Sequence, residues 1–362
     1  MTSAQIHLAR RRLGLGVSNV GFWVLAACVG LYWLSQFGTD APTYALTDAP
    51  TGAPSGAPST MHLLGIGASA IAAQAVFDFI GGVTFMPEPR PSVMTFLRGW
   101  LRGALGHTLV LAGVGFVSAV SLHLTGGFSA GIVLATTALA LGRVYVLRAL
   151  GGAAVNDSAF TGGVVGLGRR AKSLLPASWV NTVPPAELDA EASRRRWQIA
   201  NGLPFRAFLL IVLWNLIGAT IGTSTFDLAD RSIAVALFGF GCWMTLWTFA
   251  SLLVLPALSQ KAVYAADRAA ADAGHDPRAW ITRFADLVGE DGSAKPGVQT
   301  IFYPIPATTL RLQQLERPTS GLVLGNLARS NLYYSWATFT LLGRAVHCNV
   351  GRPVLWVFPP AA

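Results

Sequence analysis

Six long runs of apolar residues, each nearly free of charge, constrain this chain more than any other feature. They lie at about 21–37, 62–85, 104–124, 128–143, 205–223 and 232–258. A helix rises 1.5 Å per residue and needs about 20 apolar residues to cross a hydrocarbon core of roughly 30 Å. Most of the runs meet that length, and the fourth is the shortest. Charged residues make up 12% of the chain, against about 25% in soluble domains. So little charge cannot keep a surface of this size wet. The expected fold class is an α-helical polytopic membrane protein with about six transmembrane helices, and the lipid bilayer is its first partner.

The net charge of +9 does not point to nucleic acid, because the arginines gather at the ends of apolar runs. That is the pattern of the positive-inside rule. The basic N-terminus (1–20), the 86–103 loop, the 143–206 segment and the tail after 259 hold nearly all of them. The stretch Thr39–Thr60 holds no Lys or Arg and repeats Thr-Asp-Ala-Pro and Gly-Ala-Pro. Its prolines forbid a helix, so the Pro/Ala/Thr-rich loop 38–61 is expected outside the membrane, extended and flexible. Alternation then places both termini in the cytoplasm, in a bacterial inner membrane. The first run is expected to be a retained anchor, since no small-residue cleavage site closes it sharply.

This divides the chain into 21–145 with four spans, a cytoplasmic segment 146–204, a span pair 205–258, and a cytoplasmic segment 259–362. Neither cytoplasmic segment is comfortable alone, and the two are expected to pack into one mainly α domain. In the first, Pro184 and Pro185 open a helix, Glu187 and Asp189 fall early, Arg194–Arg196 fall late, and Gly202 follows its end. The second opens with a helix from Ser259 to about Ala273. A helix at Pro277–Val288 and a strand-like run at Val298–Tyr303 come next.

Three stretches, taken in order, resemble a known family. Asn156–Leu167 is a glycine-bearing strand region. Leu188–Gln198 is a helix in the place where an active-site helix would stand. Tyr264-Ala265-Ala266-Asp267-Arg268, followed by Gly274-His275-Asp276-Pro277, is similar to a Glu-x-x-Ala-Asp helix and its exit. Tyr303-Pro304-Ile305-Pro306, with Arg311 and Leu312, resembles the closing segment with altered spacing. The family is that of HtpX-type membrane zinc metallopeptidases. The resemblance covers about residues 150–315 and implies a metallopeptidase-like cytoplasmic domain built from two segments.

The defining chemistry is missing from the matched positions. A gluzincin carries two His at i and i+4, a Glu beside the first His, and a Glu ligand from a later helix. Here the His positions hold Arg194 and Gln198, the base position holds Arg195, and the later ligand position holds Val263. A guanidinium stays protonated and repels a divalent cation. The resemblance thus implies the fold while these residues deny the activity. The expectation is a non-catalytic pseudoprotease without a cofactor, acting as a scaffold or regulator through a protein partner of unknown identity. Its binding residues would be Arg194, Arg195 and Arg196 with the strand Val164, Val165 and Gly166. An active metalloendopeptidase with unrecognised ligands is the alternative; a transporter or a haem-binding subunit is weaker.

Other polar residues stand out against the apolar background. Asp78 lies within the second run, one turn after Gln74, and His107 near the start of the third could approach it. A buried Asp–His or Asp–Arg hydrogen bond that fixes helix packing is the expected role, ahead of proton transfer. His62 and His123 sit near the outer ends of adjacent spans, where hydration is expected rather than haem ligation. His347 and Cys348 are neighbours in the tail, and a structural role is expected for them. Trp23, Trp33, Trp100 and Trp214 are expected in headgroup belts.

Overall fold

The computed structural model describes residues 3–36, 60–85, 92–151, 162–288, 305–317 and 321–345, with 295 and 297–299 between them. The fold is mostly α-helical. Helix α1 spans Ser3–Ser35, α2 Thr60–Phe79, α3 Val93–Thr125 and α4 Ser129–Gly151. A short antiparallel hairpin follows, β1 Gly163–Val165 and β2 Lys172–Leu174, with Val164 opposite Ser173. Then come α5 Ala177–Thr182, α6 Pro185–Ala200, α7 Leu203–Thr225, α8 Ile233–Asp272 and α9 Pro277–Val288. The last elements are α10 Thr308–Leu315, α11 Leu327–Tyr334 and α12 Leu342–Ala345. Most of the 38–61 loop, Asn156–Thr161 of the strand region, and His347 and Cys348 lie outside the described residues. In the expected strand-like run, 297–299 is helical and 300–304 lies outside the described residues.

Five helices, α1, α2, α3, α7 and α8, are long and apolar enough to cross a membrane. Together they are consistent with a polytopic membrane bundle. The fourth expected span differs. In α4 the charge-free stretch before Arg143 is 129–142, a rise of only about 21 Å. Its start is set by a tight turn. Gly126 caps α3 in the left-handed region (φ 67°) and donates its N–H to the Leu122 carbonyl. Ser121 Oγ then donates to the Gly127 carbonyl (2.8 Å) and accepts from the Gly131 N–H (2.9 Å), holding α4 against α3.

The expected boundary between the sixth run and a separate helix at Ser259 is absent. Helix α8 continues through it for 40 residues, with Pro256 inside, a rod of about 60 Å. Ser259 is part of the reason: its hydroxyl donates to the Leu255 carbonyl and accepts from the Ala328 N–H. One helix therefore joins the apolar bundle to the polar layer.

Three of the tryptophans expected in headgroup belts find polar partners on neighbouring helices. Trp23 donates to Gln74 (2.8 Å), Trp100 to Asp78 (3.0 Å) and Trp214 to Ser251 Oγ (2.6 Å). A buried indole N–H needs a partner, and polar groups inside the bundle supply one. The α7–α8 seam is built the same way. Trp243 lies against Gly222, where an added Cβ would come within 2.1 Å of the ring, and its N–H donates to the Gly218 carbonyl.

Beyond the apolar helices, α5, α6, α9 and the second half of α8 enclose a core of Trp179, Val183, Ala190, Val263, Trp280, Phe284 and Ile305. This joins parts of 146–204 and 259–362, as two packed segments should. Residues 321–345 go elsewhere. Tyr333, Tyr334, Trp336 and Ala337 pack with Val114, Ala135, Leu139, Ile211 and Leu255 of the apolar helices. Tyr333 Oη donates to the Leu139 carbonyl (2.8 Å). Leu342 and Ala345 lie against Val20 and Trp23 of α1. The tail segment is thus wedged among the apolar helices instead of lying wholly beneath them.

Candidate functional site

Helix α6 starts at Pro185 in the first position, where a missing N–H costs nothing. It is polar yet largely covered, because the hairpin, α8 and α9 all pack on it. Glu187 in its first turn pairs with Arg283 of α9. One turn on, Glu191 pairs with both Arg194 and Arg195, at i+3 and i+4. Asp267 of α8 reaches Arg194 from the other side. Asp267 also takes a two-pronged pair from Arg311 of α10, with both bonds at 2.8 Å. Arg195 Nη1 donates to the Leu174 carbonyl and ties α6 to β2.

All five charged groups are inside: Glu191 and Arg195 are 0% exposed, Asp267 1%, Arg194 and Arg311 2%. Burial alone would raise the Glu191 carboxyl, but Arg194 and Arg195 outweigh it and hold the group down at about 2. Burial likewise opposes the charge on Arg194, and Asp267 and Glu191 overcome that and raise its pKa above the ordinary value. The network sets three guanidiniums against two carboxylates.

The four degenerate positions fall in two places. Arg194 and Arg195 are in the ion network. Gln198 and Val263 line a cavity of about 70 Å³ beside Val164 and Gly166 of the strand region. The helix, the strand and the later helix thus meet at one cavity. Arg194 and Arg195 do not face that cleft as binding residues; they turn inward because Glu191, Asp267 and the Leu174 carbonyl offer them partners. Arg196 is exposed. Val165 is buried, and Val164 and Gly166 are half-buried. The strand needs its glycine: a Cβ on Gly162 (φ 66°) would sit 1.9 Å from the Leu174 carbonyl oxygen.

Asp78 and His107 are brought together inside the bundle through a third residue. Arg344 Nη2 donates to Asp78 Oδ2 (2.8 Å), and Arg344 Nη1 lies 3.4 Å from His107 Nδ1. Gln74 Nε2 donates to Asp78 Oδ1 (3.0 Å), and His107 stacks on Trp336 with centroids 4.5 Å apart. Of the two expected hydrogen bonds to Asp78, the Asp–Arg one is present. The arginine itself was not singled out from the sequence. Its signal was there: Arg344 is the one charge between Thr338 and Ala345 in an apolar stretch. Arg143 and Arg329, which also line the 70 Å³ cavity, were missed as site residues too. His62 and His123 are both exposed.

Among the described residues, no group of three or more His, Cys, Asp and Glu side chains stands close enough to hold a metal ion. Comparisons with known protein families, with curated proteins and with solved structures found no match. The likeness to the membrane metallopeptidases rests on the residues quoted for it.

Proposed function

We propose that this chain is a non-catalytic membrane protein, a scaffold or regulator on a metallopeptidase-like framework, that works by binding a protein partner. The observation that carries this reading is the buried ion network at α6. Where a water-activating carboxylate and a first ligand would stand, Arg195 and Arg194 are buried and held by Glu191 and Asp267. A fixed cation there opposes a divalent metal. The partner surface is the edge of β1 that β2 does not occupy. Among the described residues the sheet has two strands only, and an open edge offers main-chain hydrogen bonds to an extended segment.

Purified protein is expected to hold no stoichiometric zinc and to leave casein intact. One tightly bound zinc per chain, removed by chelator together with a proteolytic activity, would sink the reading in favour of an active metallopeptidase. A photo-cross-linking residue at position 164 is expected to capture a defined protein that the same residue at exposed position 180 does not. Equal capture at both positions would remove the case for the strand edge.

The proposed setting is a bacterial inner membrane with both termini inside. The basic-residue asymmetry supports it. Cysteines placed in the Thr39–Thr60 loop are expected to label from outside intact cells, and cysteines near Arg169 or Ser293 are not. External labelling near Arg169 would reverse the orientation of that segment, and the short α4 is where the count would then change.

A further inference from the structure

The 70 Å³ cavity gathers positive charge at one place, with Arg143 lying over the Tyr333 ring, 4.6 Å from its centroid. Its walls come from α4, β1, the end of α6, the start of α7, α8 and the first turn of α11. Two guanidiniums, Arg143 and Arg329, are among its lining residues, and no carboxylate is, among the described residues. Asn326, Ser330 and Gln198 add hydrogen-bonding groups. Asn326 caps α11 and Arg329 lies in its first turn, so the positive end of that helix meets the cavity as well. The space of about 70 Å³ is several times the roughly 10–15 Å³ that a single water needs, enough for a small group such as one tetrahedral oxyanion.

The depth of the cavity decides what kind of oxyanion belongs there. Arg143 is the first charged residue along α4, and Leu203 is the first residue of the α7 span. Both line the cavity, so it lies where the apolar spans end, at headgroup level. The same turns of α4 and α7 carry exposed Leu141, Tyr145, Phe205 and Leu209, a surface that acyl chains can cover. We propose that this cavity binds the phosphate of an anionic phospholipid. Arg143 and Arg329 are the charged contacts, the first turn of α11 is the neutral one, and the tails lie along α4 and α7. Guanidinium matches phosphate with paired donors. Val164 and Gly166 line the cavity as well, so a lipid here and a protein segment on the β1 edge would share a wall. The lipid assignment does not need that partner to exist, and lipid titration of the isolated chain tests it separately.

The test is lipid titration of the full-length chain in detergent, read by native mass spectrometry, with phosphatidylglycerol, phosphatidylcholine and inorganic phosphate as probes. Wild type is expected to retain one phosphatidylglycerol per chain and to prefer it over phosphatidylcholine. Arg329→Gln is expected to weaken that binding about tenfold, the scale of one hydrogen bond to a charged group. Because Arg329 is buried, Gln198→Glu is the second variant. It is near-isosteric, sits on the half-buried wall, and places a negative charge in the cavity, so it should weaken phosphatidylglycerol binding while leaving the fold intact. Equal binding of the two lipids, or phosphatidylglycerol binding unchanged in Gln198→Glu, overturns the proposal. Inorganic phosphate that binds as tightly as the lipid and displaces it completely assigns the site to free phosphate and overturns the lipid assignment.

Discussion

Asp78→Asn is expected to destabilise the apolar bundle by about 3–5 kcal/mol, the usual cost of removing one partner from a buried ion pair. Asp78 is 0% and Arg344 4% exposed, so neither water nor salt can take over from the missing charge. The substitution keeps the shape of the side chain and removes only its negative charge. What is lost is the carboxylate that Arg344, Gln74 and Trp100 all address. Four segments meet there, α1 through Trp23, then α2, α3 and the tail through α12. Thermal unfolding in detergent measures the loss. The paired change Asp78→Asn/Arg344→Met is expected to recover much of it, since the guanidinium that would be buried without its countercharge is removed as well. A single variant within about 0.5 kcal/mol of wild type, the ordinary range for a neutral surface change, would show that the pair holds nothing together.

Asp267→Asn is expected to cost as much in the polar layer, about 3–5 kcal/mol. One carboxylate there neutralises two buried guanidiniums, Arg194 and Arg311. Its loss leaves Glu191 alone to balance Arg194 and Arg195. Limited proteolysis of α9 and α10 should accelerate before the apolar helices open. The same network sets a pH dependence. Glu191 has a folded pKa of about 2, below its ordinary 4.5, so its contribution is complete above about pH 4.5 and is lost as the pH falls towards 2. Glu191→Gln is expected to flatten the stability profile across that window. An unchanged acid limb in that variant would assign the acid lability to other carboxylates.

The apolar runs were legible because their length is a property of local sequence. Five of the expected spans exist as long helices, and the helix Pro277–Val288 falls where its proline and periodicity put it. The orientation of Arg194 and Arg195 was not legible. Three successive arginines read as a solvated or partner-facing patch, and only the hairpin and α8 packing over α6 turn two of them inward. Their pairing with Glu191 was visible as helical spacing; Asp267 and Arg311 completing the network was not, because those residues come from other helices. Arg344 was hidden for a similar reason. A single arginine in a tail reads as a surface residue until the tail is found among the apolar helices. The polar partners of Trp23, Trp100 and Trp214 were hidden in the same way, because Gln74, Asp78 and Ser251 come from other helices.

The wedged tail has a consequence for how the protein is made. Arg344 lies 266 residues after Asp78, and at roughly 5–20 residues per second the ribosome delivers it about 15–50 s later. During that interval α2 is already released into lipid with an acid and no arginine to meet it, a costly arrangement in hydrocarbon. The bundle therefore cannot reach its final form until synthesis has passed residue 344. Closure of this one ion pair marks a chain that has been translated and inserted through α12, and a nascent product cut short before that point is left with an unmatched intramembrane carboxyl that a membrane quality-control protease can recognise.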